Sequence, residues 1–69
     1  MNRVPVQSSN IVEVGYDART QTLEIMFRDG GLYQYFDVPE RIFQELRGAG
    51  SPGQYFHGLI KGNYRYARL

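Results

Sequence analysis

The sequence predicts an α+β fold: a three-stranded antiparallel β-meander, two C-terminal helices packed on one face, and a short extended tail. Two observations carry this. Apolar residues recur at period two in three runs between residues 11 and 38, separated by short turn signals. From Pro39 the spacing becomes helical and is punctuated by Pro and Gly. Residues 1–10 are largely polar, end in Ser8-Ser9-Asn10 and read as a flexible lead-in; residues 11–69 read as a single domain.

The first strand, residues 11–16, places Val12, Val14 and Tyr16 at period two, and residues 17–21 form a polar connector. In the second, residues 22–28, Leu23, Ile25 and Phe27 share one face and Glu24 and Arg28 the other. Asp29-Gly30-Gly31 supplies a hairpin turn, because Gly tolerates positive φ. The third strand is residues 32–38. A three-residue loop with Gly31 in the left-handed region aligns Tyr33 and Tyr35 with Leu23, Ile25 and Phe27, and leaves Gln34 outside. A two- or four-residue loop buries Gln34 instead, where its amide needs a partner, so the first arrangement is favoured. Ile11 and Met26 then fall on the outer face.

In the first helix Pro39 stands where a first turn tolerates it, Glu40 favours the positive end of the dipole, and Ile42, Phe43 and Leu46 recur at helical spacing. Gly48 or Gly50 stops the run. The second opens at Ser51-Pro52-Gly53-Gln54, a capping pattern with Pro at the first helical position. Tyr55, Phe56, Leu59 and Ile60 form its apolar stripe, and Gly62 ends it. Tyr64 and Tyr66, two apart, point to an extended tail.

Composition narrows the function classes. The 69 residues include no cysteine, which removes disulfides, thiolate ligands and a cysteine nucleophile. A single His leaves no His pair for zinc, so neither a metal nor another cofactor is expected. Chains this short bury only about 60% of their unfolded surface, so the six Tyr and four Phe must supply much of the core. No apolar run approaches the roughly 20 residues of a membrane span, and no signal-peptide pattern opens the chain; a cytoplasmic protein away from membranes is expected. Ser8 and Ser9 have no paired base, and Glu40 and Glu45 are splayed on their helix. The glycine turn lacks a phosphate-loop pattern. A non-catalytic protein with no small-molecule substrate is the expectation.

Charge is uneven. Residues 1–45 carry four basic and seven acidic side chains, a net −3, whereas residues 46–69 carry Arg47, Lys61, Arg65 and Arg68 and no acid, a net +4. His57 and Lys61, at i and i+4, lie about 40° apart on one helix face, and Tyr64 and Tyr66 interleave with the tail arginines. Cations beside aromatic rings are how non-specific RNA and single-strand binders work. Arg47, His57, Lys61, Tyr64, Arg65, Tyr66 and Arg68 are therefore the candidate nucleic-acid-binding residues. The plainer alternative is that Arg47 and Lys61 relieve helix dipoles while Tyr64 or Tyr66 closes the core. Tyr33 and Tyr35 likewise read first as core tyrosines, and otherwise as a stacking platform for bases.

The ordered set of motifs resembles the KTSC domain. It comprises Ser8-Ser9-Asn10-Ile11, Gly15-Tyr16-Asp17, Leu23 to Phe27, Asp29-Gly30, Tyr33-Gln34-Tyr35, Val38-Pro39, Ser51-x-Gly53-x-Tyr55-Phe56 and Ile60…Tyr64-Arg65-Tyr66. The resemblance marks Tyr33, Tyr35, Pro39, Ser51 and Gly53 as structural motif positions, and His57 stands where such domains carry Asn. It implies a domain found at the C-terminus of some lysyl-tRNA synthetases and as stand-alone bacterial proteins, with RNA (tRNA or single-stranded) as the leading partner. The competing expectation is a protein partner or a homo-oligomer formed through the open sheet face, where Ile11 and Met26 make a small apolar patch, or through a sheet edge.

Overall fold

The computed structural model describes residues 1–69. The sheet has five strands, not the three expected: β1 (Arg3–Pro5), β2 (Ile11–Asp17), β3 (Thr22–Phe27), β4 (Leu32–Tyr35) and β5 (Tyr66–Arg68). They form one antiparallel sheet in sequence order, with the helical segments lying between β4 and β5 in the chain. The two additional strands lie at the edges and are three residues each, too short to display an alternation. Pro5 closes β1, a position where a proline costs no ladder bond. The stretch read as a lead-in therefore contributes a strand, and the extended tail joins the sheet beside β4.

Gly15 explains how β1 fits. A Cβ there would lie 2.8 Å from the Asn2 carbonyl oxygen and 2.9 Å from Arg3 Cγ, so only glycine admits the chain. Gly15→Ala is expected to push β1 outward and cost about 1–3 kcal/mol. Hydrogen exchange of the Val6 amide, which donates to Val12 O at 3.2 Å, should accelerate along with a fall in the urea midpoint. Unchanged protection would contradict this packing.

A register shift between Ile11 and Glu13 corrects a second expectation. The extra residue of this bulge turns Ile11 inward, where it is fully buried with Val14. Ile11 therefore belongs to the core and not to an outer apolar patch.

The β3–β4 hairpin turns through three residues, Arg28, Asp29 and Gly30. Phe27 N donates to Gly31 O at 2.8 Å and Gly30 N to Phe27 O at 3.0 Å. The positive φ, 96°, falls on Gly30 and not on Gly31. The loop length preserves the expected parity: Tyr33 lies opposite Ile25 and Tyr35 opposite Leu23, while Gln34 faces out opposite Glu24. There Gln34 Nε2 donates to Glu24 Oε1 at 2.9 Å, and Arg3 bridges Glu13 and Glu24, each at 2.7 Å. Glu24 is 7% exposed, and every buried side-chain nitrogen and oxygen in the chain has a partner.

The helical layer covers the inner face. Helix α1 (Glu40–Gly48) buries Ile42, Phe43 and Leu46, and places Glu40 in its first turn and Arg47 in its last, both favourable to the dipole. Pro39 precedes it as the N-cap residue. The Phe43 ring stacks on Tyr16 at 5.3 Å, and the Tyr16 hydroxyl donates to Val38 O. Helix α2 (Pro52–Tyr55) is capped by Ser51 Oγ, which accepts from Gln54 N at 3.4 Å. It runs directly into a π-helical turn, Phe56–Ile60, closed by Lys61 N to Phe56 O at 2.9 Å. Widening the turn by one residue keeps Phe56 and Ile60 on the sheet but swings Leu59 out to 49% exposure, so Leu59 is not part of the expected stripe. Gly62, at φ 83°, ends the segment.

Candidate functional site

The two helical segments do not cover the whole inner face. Over β4 and β5 an aromatic surface stays open, set by strand alternation: Tyr33 and Tyr35 project from β4, and opposite them Arg68 and Tyr66 project from β5 on the same side. Tyr66, 62% exposed, lies with its ring centroid 5.9 Å from that of Tyr33 and 5.7 Å from that of Tyr35. Arg68 Cζ sits 5.5 Å above the Tyr33 ring, a cation–π contact at the rim. Below, Phe27 meets Tyr33 and Phe56 edge to face at 5.5 and 5.2 Å, which ties the surface to the core. These rings and Lys61 line a groove of about 290 Å³.

A second, larger groove of about 1250 Å³ adjoins it, between residues 7–10, the β3–β4 turn and residues 50–61. Its lining is mostly polar, and Phe27, Asp29, Phe56 and Lys61 belong to both grooves. Its walls are fixed from within. Ser8 Oγ accepts from the amides of Asn10 and Ile11, and Arg28 donates to the carbonyls of Ser8 and Ser9 at 3.0 and 3.2 Å. The nearest atoms to a Cβ built on Gly53 are Asn10 Nδ2 and Ser8 Oγ, both at 3.5 Å, so two motif segments distant in sequence meet here.

The structure brings some of the sequence-derived residues together and separates others. Lys61, Tyr66 and Arg68 converge, with His57 beside Lys61 in the polar groove. Arg65 projects from the other face of the tail: its guanidinium pairs with Asp37 at 2.7 Å and stacks 5.6 Å over Phe36. Arg47 lies 5.6 Å over Phe43 on α1 and lines neither groove. Tyr64 is half-buried against the core. Tyr35 is core at 4% exposure, whereas Tyr33 is only partly buried and forms the floor of the open surface. Tyr35 thus matches the core reading of the pair and Tyr33 the alternative of an open ring, while Phe27, Asn10 and Asp29, which line the grooves, are not among the sequence-derived candidates. The pairing of a Tyr-x-Tyr strand with a Tyr-x-Arg strand was the available signal.

Burial pushes the Tyr35 phenol up to about 12, and the neighbouring hydroxyls of Tyr33 and Tyr66 add to the shift. Tyr55, half-buried and donating to Glu45 Oε1 at 2.6 Å, is also held at about 12. The folded state thus keeps protons that an unfolded tyrosine releases near pH 10, about 10 being the ordinary value. Stability from these groups is full below about pH 10 and is lost as the pH rises through about 12. Urea midpoints measured across that window should fall, in step with tyrosinate absorbance. A flat profile would contradict a buried Tyr35.

No group of three His, Asp or Glu side chains is placed to hold a metal ion, and no helix is long and apolar enough to cross a membrane. Comparison with known proteins adds the following. The KTSC domain profile matches residues 7–64. A lysine–tRNA ligase from Trichormus variabilis is 46% identical over 63 residues, 91% of this chain. The chain spans only 11% of that ligase's length. An uncharacterized protein from Stutzerimonas stutzeri is 43% identical and matches over 100% of this chain and 99% of its own. The crystal structure of a KTSC domain protein from Yersinia pestis superposes with a TM-score of 0.95 at 46% identity, covering 99% of this chain and 96% of that one.

Proposed function

The chain belongs to the KTSC domain family, and from that premise we propose that it is a non-catalytic module that binds RNA weakly through its open aromatic–basic surface. The observation that carries this is the convergence of Tyr33, Tyr66, Lys61 and Arg68 on the one part of the inner face that the helices leave uncovered. Rings give faces on which bases stack, and the cations neutralise phosphates and release counterions. The likeness to a segment that makes up 11% of lysine–tRNA ligases supports an RNA partner and a cytoplasmic setting. So few cations give weak, salt-sensitive binding and not a tight site.

The test is a titration of labelled single-stranded RNA and tRNA at about 50 and about 200 mM salt. Affinity should fall steeply with salt, and Lys61→Ala and Arg68→Ala should each flatten the log–log slope by about 0.7. Arg65→Ala removes the same charge from the opposite face and should change it less. No binding at the lower salt, or equal losses for all three variants, would overturn the reading.

A protein partner that adds a strand at β5 is the competing reading. Phe36 N donates to Arg65 O and Leu69 N to Leu32 O, so the backbone groups of Tyr66 and Arg68 face outward from this edge. Association of that kind would be largely indifferent to salt.

A further inference from the structure

Resting on the RNA reading above, we propose that the two adjoining grooves are one track for a single, unpaired RNA strand, with base stacking at the aromatic end and polar contacts to nucleotide edges at the other. Three observations carry it. The first is continuity: Lys61, Phe27 and Phe56 line both grooves, so a chain leaving the Tyr66 ring passes Lys61 before entering the polar groove. The second is the change of chemistry along that path. The aromatic groove offers ring faces, which bases already stacked and paired in a duplex cannot reach. The polar groove is lined by amides and hydroxyls, among them Asn10, Gln54 and Ser9, which suit base edges and 2′-hydroxyl groups. The third is that the wall is preorganised: Arg28 clamps the Ser8 and Ser9 carbonyls, and its own amide donates to Asn10 O at 2.7 Å. A strand that binds here has little of the protein to order.

Asp29 is the one carboxylate on the track, at the junction of the grooves. Its Oδ1 accepts from Gly31 N at 2.9 Å and so shapes the hairpin turn. The remaining charge repels a phosphate, which places the backbone on the Lys61 side of the junction. Asp29→Asn retains an acceptor for the turn and removes the charge, so it should tighten binding several-fold.

The experiment is a fluorescence-anisotropy titration of labelled oligouridine di-, tetra- and hexanucleotides, and of a duplex of hexanucleotide length or longer, at about 50 mM salt. Wild type, Asp29→Asn and the double variant Asn10→Ala/Gln54→Ala are compared, with circular dichroism melts confirming that each is folded. Affinity should rise about tenfold or more from dinucleotide to hexanucleotide, and exceed that for the duplex by a similar factor. The double variant should lose the gain with length while leaving dinucleotide affinity unchanged. Affinity independent of length, a duplex bound as well as a single strand, or weaker binding by Asp29→Asn would overturn the track and leave RNA binding standing. Failure of every nucleic acid to bind would overturn both.

Discussion

Phe56→Ala is expected to cost the protein a large share of its folding stability. Phe56 is 8% exposed and sits where α2 passes into the π-helical turn. Its ring packs edge to face on Phe27 at 5.2 Å and on Tyr35 at 5.6 Å, so it links the helical layer to β3 and β4 at once. Truncating a buried phenylalanine costs about 3–5 kcal/mol, and a chain of this size has about 3–10 kcal/mol in all. With no cysteine to form a disulfide, there is little reserve. Urea titration followed by circular dichroism should show a transition shifted to far lower denaturant, or none. Phe56→Leu, which keeps most of the apolar volume, should recover much of the loss. A change under about 1 kcal/mol for Phe56→Ala would mean that this segment is not what holds the sheet.

Tyr66→Ala should do the opposite: little to stability and much to binding. The ring is mostly open to solvent, and its contacts to Tyr33 and Tyr35 lie at the rim of the core. Base stacking on an aromatic side chain is worth about 1–3 kcal/mol by alanine substitution, which is about 5- to 150-fold in affinity for single-stranded RNA. Because no charge is removed, the salt slope should stay as in wild type. Tyr66→Phe keeps the π face and should bind nearly as wild type does. Full affinity in Tyr66→Ala would remove the ring from the interface.

Much of the fold was legible where one face of an element is buried and the chain is regular. Leu23, Ile25 and Phe27 show their alternation openly, and Ser51-Pro52 announces a helix start that the Ser51 cap realises. The orientation of Tyr33 and Tyr35 followed from loop parity, which survives even though the turn uses Gly30 in place of Gly31. What was not legible rests on tertiary contact. The strand at Arg3–Pro5 is held by Glu13, Glu24 and the missing side chain of Gly15, none of which marks its own sequence as extended. Ile11 changes face through a bulge that period-two reading cannot see, and Leu59 leaves the core through a π turn that helical periodicity does not anticipate. The site was half legible for a similar reason. Charge and ring content single out the tail as one stretch, but the strand period of β5 divides it, sending Tyr66 and Arg68 to the open surface and Arg65 to Asp37.

The most direct test of the central claim is a heteronuclear NMR titration of the labelled protein with a short single-stranded RNA at low salt. Amide shifts should concentrate on Tyr33, Lys61, Tyr66 and Arg68, spread to Asn10 and His57 as the oligonucleotide lengthens, and collapse on adding salt. Spectra that do not change, or shifts confined to the opposite sheet face around Glu13, Glu24 and Gln34, would contradict it.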